Sequence, residues 1–112
     1  MSREPRQYLA DILTACRKIE RIALHVEDDR LVSDEVLLDA ILFNIVVIGE
    51  AATKTPAEIQ AQWPSVPWAR ITAMRNLVAH EYFGVDRGIV LDVVRRKIPE
   101  LIRTLGPAVG PE

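Results

Sequence analysis

Apolar residues recur at intervals of three and four along almost the whole chain, and no stretch shows the period-two alternation of a half-buried strand. The pattern predicts an all-α protein. Leu9, Ile12, Leu13, Cys16, Ile19, Ile22 and Ala23 form one stripe of a first helix running from Pro5 to Val26, with Pro5 suited to an opening position. Ser33-Asp34-Glu35 caps and charges the start of a second helix, which continues to Thr53 before Pro56. The apolar set of that helix (Val36, Leu37, Ala40, Ile41, Phe43, Ile45, Val47, Ile48, Ala51, Ala52) covers more than one face, so it should be the most enclosed element. Asn44 and Glu50 interrupt this surface, and a buried polar group needs a partner; a cross-helix hydrogen bond or partial exposure would supply one.

Pro56-Ala57-Glu58-Ile59 opens a short helical turn, and Pro64 and Pro67 then punctuate a connector. Trp63 and Trp68 bracket the connector and read as pins holding it to the bundle, in preference to a base-stacking platform. A third long helix follows from Pro67 to Ala79, with Trp68, Ile71, Met74, Leu77 and Val78 inward. Gly84 breaks it, and Asp86 caps a last helix carrying Ile89, Val90, Val93, Val94, Ile98, Leu101, Ile102 and Leu105. Pro99 lies inside that pattern and should kink or divide it. Two Pro and two Gly in Gly106 to Glu112 suggest a flexible tail, leaving residues 1–105 as the helical domain and 106–112 as the tail.

Composition narrows the class. The chain has 112 residues, 49% of them hydrophobic and 27% charged, which suits one soluble domain able to fold without disulfides or a structural metal. Cys16 is the sole cysteine, so it can make no internal bridge and no paired-cysteine zinc site; it reads as a small core hydrophobe. The central uncharged stretch, Ala40 to Gly49, is about half the ~20 residues of a membrane span, and Arg3, Glu4 and Arg6 are unlike a signal peptide. A cytoplasmic protein with no membrane partner is the expectation.

Net charge is −2, which taken alone argues against nucleic acid. The distribution changes that. Met1 to Ala69 holds seven Lys/Arg against eleven Asp/Glu, whereas Arg70 to Arg103 holds seven against four, so a locally basic cleft on an acidic body is expected.

Chemistry concentrates in Arg75-Asn76-Leu77-Val78-Ala79-His80-Glu81-Tyr82. The two ends of the candidate pair, Arg75 and His80, are five residues apart, about 140° around an ideal helix. They would not share a face. Either the helix unwinds near His80, or two chains share the site. The set suits metal-free cleavage of RNA, which carries its own nucleophile. A near-neutral histidine can take the 2′-hydroxyl proton or protonate the leaving 5′-oxygen, an arginine fork can stabilise the charge developing on phosphate, and Asn76 can orient either. A histidine closing a helix is also a common structural feature. His25, at the end of the first helix beside Glu27, Asp28 and Asp29, has the same simple reading, a cation placed against the helix dipole.

The run Met74 to Asp86 resembles the Arg-x4-His-x-Tyr signature of the HepT-like toxins, a branch of the HEPN superfamily of metal-independent ribonucleases. Tyr8-Leu9-Ala10-Asp11-Ile12-Leu13, Asn44 with Val47-Ile48-Gly49-Glu50-Ala51-Ala52, and Trp63-Pro64 with Pro67-Trp68 extend the resemblance over nearly the whole chain. Ala79 is smaller than the branched residue often found before the histidine. The resemblance implies a four- to five-helix bundle that dimerises with both motifs facing one cleft. It implies catalysis by Arg75 and His80 with Asn76 in support, without metal or cofactor, on RNA such as tRNA. It also implies that an MntA-type nucleotidyltransferase antitoxin attaches AMP to Tyr82. Glu50 is a further supporting candidate that could contact the motif or serve the scaffold alone. The competing functional class is a non-catalytic helical subunit that docks a nucleotidyltransferase.

Overall fold

The computed structural model describes residues 4–109, and no strand occurs among them. Helix α1 (Pro5–Ala23) opens on its proline and buries Leu9, Ile12, Leu13, Cys16 and Ile19 in the core. It stops short of the expected Val26 because His25 takes a left-handed conformation with φ 61°. Helix α2 (Asp28–Ser33) was not anticipated; it is six residues long and buries only Leu31, too little for a periodic signal. Arg95 closes this corner, donating to the carbonyls of Ala23 and Val26 and to the Asp28 carboxylate.

Helix α3 (Glu35–Lys54) begins where the Asp34 carboxylate accepts from the Val36 and Leu37 amides. It packs between α1 and α5 (Trp68–His80), which explains its broad apolar coverage. That coverage is not complete: Val36 and Phe43, expected inside, are 78% and 67% exposed. Asn44, 7% exposed, satisfies its amide N–H not across a helix but on the Ala40 carbonyl one turn back, at 2.8 Å. By length and a mean hydropathy of 1.9, α3 also meets the requirement for a membrane span, although neighbours pack against it on both sides.

Between them, helix α4 (Ala57–Gln60) and the connector are pinned as expected. The Trp68 indole N–H lies 3.2 and 3.1 Å from the Gln60 and Trp63 carbonyls, and the Arg6 guanidinium lies over the Trp63 ring. After α5 comes a 3₁₀ turn (Tyr82–Gly84), then α6 (Arg87–Asp92), whose amides at Gly88 and Ile89 bond the capping Asp86. A π-turn (Val93–Lys97) joins α6 to α7 (Ile98–Val109). Proline at 99 has no N–H to return to the preceding turn, and the helix widens there so that the Ile98 amide reaches Val93, five residues back. The rod stays continuous and packs on α1. It runs through Gly106 and Pro107 to Val109, four residues beyond the expected domain end at Leu105; the rest of the expected tail, 110–112, lies outside the described residues.

Candidate active site

Helices α3 and α5 cross antiparallel, with Arg75 against Gly49, Thr72 against Thr53, and the turn after α5 against Asp39. The closeness at Arg75 is possible only because residue 49 has no side chain. A Cβ there would stand 2.1 Å from the Arg75 Cβ and 3.3 Å from the Ile71 carbonyl. The arginine stem therefore lies on bare α3 backbone.

From that anchor the guanidinium runs to the exposed edge of the seam. Its Nη2 donates to the Thr53 hydroxyl at 3.4 Å, and Nη1 lies 3.9 Å from the Glu50 carboxylate, which also pairs with Lys54 at 3.3 Å. Nε is buried without a partner. The Arg75 side chain keeps 26% of its exposure, so the group is fixed at its base and open at its edge. Glu50 therefore lies at ion-pair distance from the motif arginine.

His80 is the last residue of α5 and is exposed, as is Asn76. The helix does not unwind before His80, so the separation of about 140° from Arg75 persists within one chain. Tyr82 sits in the following 3₁₀ turn, 41% exposed, and its hydroxyl donates to the Asp39 carboxylate instead of approaching the guanidinium. That hydrogen bond, reinforced by the negative charges of Asp39 and Glu35, raises the phenol pKa above its ordinary value. Asp39 is ten residues before Gly49 on the same helix, which puts the two ends of the site about 15 Å apart along α3.

Thr53, Thr72 and Asp39 escaped the sequence reading, which met Gly49 only as part of the run that resembles the family. One signal could have found two of them: Asp39 and Thr53 recur with Phe43, Val46 and Glu50 at intervals of four and three and share one face of α3. The expected basic cleft is dispersed. Arg95 is committed to the α1–α2 corner, Arg87 to the Val32 carbonyl and Arg96 to Asp92, while Arg70 and Lys97 line a separate groove of about 470 Å³ between α5 and the rod.

A family profile described as ribonuclease HepT-like matches residues 12–107, spanning all of these elements except the first turns of α1 and the end of α7. The chain belongs to the HepT-like ribonuclease family. A candidate RNase from Caldanaerobacter subterraneus subsp. tengcongensis is 40% identical over 99 residues, covering 87% of each chain. A candidate ribonuclease HepT from Thermococcus cleftensis is 31% identical over 101 residues, covering 90% of this chain and 92% of that one. A candidate RNase from Methanocaldococcus jannaschii is 30% identical over 99 residues, covering 88% and 82%. No solved structure gives a significant match. The HepT-like assignment makes the enzyme class endoribonuclease and the helical bundle its expected architecture.

Proposed function

We propose that the protein is a metal-independent endoribonuclease toxin that works as a cytoplasmic homodimer, with Arg75 and His80 as its catalytic pair. The observation that carries this reading is the anchoring of Arg75 at an exposed seam by Gly49, Glu50 and Thr53, with His80 exposed on the same helix. The guanidinium offers a planar fork to a phosphodiester. The 2′-oxygen attacks phosphorus and gives its proton to a base, the bond from phosphorus to the 5′-oxygen breaks, and that oxygen takes a proton. The products are a 2′,3′-cyclic phosphate and a 5′-hydroxyl. His80 supplies or removes one of these protons, and Asn76 orients the imidazole or the phosphate.

The 140° separation favours a site completed by a second copy. Phe43 and Val36 support that arrangement, since large apolar side chains left exposed along α3 are suited to burial against a partner. Opposite faces of two α5 helices would then bring Arg75 of one copy toward His80 of the other.

Tyr82 is the proposed modification site for a nucleotidyltransferase antitoxin. Its oxygen attacks the α-phosphorus of ATP, pyrophosphate leaves, and Asp39 is placed to accept the phenolic proton. The attached AMP must span from the Asp39 end of α3 toward Arg75 to obstruct RNA, a distance comparable to the nucleotide itself.

The test is cleavage of RNA, tRNA included, in EDTA by the unmodified protein. The wild type should cut and His80→Ala should lose at least about 100-fold. Wild-type rates in a nuclease-free His80→Ala preparation would overturn the assignment of His80. Intact-mass analysis after incubation with the nucleotidyltransferase and ATP should show AMP additions that vanish in Tyr82→Phe; additions that persist there would place modification elsewhere.

A further inference from the structure

The geometry points to Thr53 as a positioning residue for Arg75, acting through a hydroxyl whose hydrogen-bonding capacity is fully used. The inference rests on the reading of Arg75 as catalytic. Thr53 Oγ1 lies 2.8 Å from the Gly49 carbonyl, 3.2 Å from the Thr72 hydroxyl and 3.4 Å from Arg75 Nη2. A hydroxyl has one proton and two lone pairs. The Gly49 carbonyl can only accept, so the Thr53 proton goes there. Thr72 must then be the donor in the threonine pair, and the remaining lone pair receives Arg75. The rotor is locked by a bond to its own helix, and its acceptor side is thereby aimed at the α5 seam.

Glycine 49 serves this device twice. Its missing side chain admits the Arg75 stem, and its carbonyl holds the hydroxyl that steadies the far end of the same side chain. Glu50 cannot do this alone. At 3.9 Å it attracts the guanidinium without a hydrogen bond, and it is divided between Arg75 and Lys54. Thr53 therefore sets the direction of the fork, while Glu50 contributes charge.

Thr53→Val keeps the shape and removes the acceptor, whereas Thr53→Ser keeps the hydroxyl. With RNA as substrate, Thr53→Val should lower kcat by about tenfold with little change in KM, and Thr53→Ser should retain most of the rate. In the Arg75→Ala background Thr53→Val should cost nothing further, because its effect passes through the arginine. Equal losses in both backgrounds, or a Thr53→Ser variant as impaired as Thr53→Val, would reduce Thr53 to a structural residue. If Arg75→Ala itself cleaves normally, the catalytic reading of the arginine fails, and a second readout still decides the geometry. The side-chain NMR signal of the Arg75 Nε–H should shift and broaden in Thr53→Val and stay in place in Thr53→Ser; an unmoved signal in both overturns the positioning.

Discussion

The Cα of Gly49 faces the Cβ of Arg75 with no room for even one additional carbon between the two helices. Both groups are attached to backbone, so neither can swing away. Gly49→Ala gains roughly 1 kcal/mol of helix propensity but must separate α3 from α5, and overpacking of this kind costs about 1–3 kcal/mol. The expected result is a protein destabilised by up to about 2 kcal/mol in a denaturant titration, and an RNA cleavage rate that falls more steeply than stability because the Arg75 anchor moves. A stabilising Gly49→Ala would contradict the close approach.

Asp39 and Tyr82 make the second prediction. The carboxylate holds the phenolic proton and raises the Tyr82 pKa, so tyrosinate formation at this residue should require a higher pH than that of a free phenol, about 10. Asp39→Asn removes the charge and should bring the titration down toward the ordinary value. Absorbance of tyrosinate, with Tyr82→Phe used to subtract Tyr8, checks it. An unchanged curve in Asp39→Asn would show that the contact does not govern the phenol.

Phe43 tests the proposed dimer face. Phe43→Glu should change monomer stability by no more than about 0.5 kcal/mol, since the ring is largely solvated within one chain. Sedimentation should nevertheless show a dimer for the wild type and a monomer for the variant. A variant that stays dimeric would move the interface elsewhere.

Cys16 should be inert. Burial pushes its thiol up to about 12 from an ordinary value of 9, so the folded state keeps the proton and a thiol reagent should not react until the chain unfolds. Because the folded pKa is the higher one, the proton's contribution to stability is whole below pH 9 and declines between about pH 9 and 12. Rapid labelling of native protein at pH 8 would contradict the burial.

The helices were legible where periodicity ran long. Pro5, Asp34 and Asp86 act at helix starts as their chemistry dictates, and Trp68 pins the connector. Leu77, expected inward, is 38% exposed, because α5 buries a narrower stripe than its apolar residues suggest. Helix α2 was too short to leave a pattern, and the π-turn before Pro99 is a compensation that only packed coordinates reveal. Around Arg75, the neighbouring Glu50 was named from the sequence, whereas Thr53 and Thr72 were not. Thr53 and Thr72 matter through a bond across two helices, and no spacing within one helix announces such a pairing. Tyr82, two residues from His80 in sequence, is directed to Asp39 by the turn that ends α5.

The shared site is tested most directly by mixing two inactive proteins. Arg75→Ala retains His80, and His80→Ala retains Arg75, so a dimer of one each contains one complete Arg75/His80 pair if the pair forms across copies. Equal amounts, unfolded together and refolded, should give about half heterodimers and recover roughly a quarter of wild-type RNA cleavage by random pairing of two-fold dimers. Either variant refolded alone should remain inactive. Recovery of that size is the predicted result; a mixture containing verified heterodimers but no more active than its parts would contradict a site built from two chains.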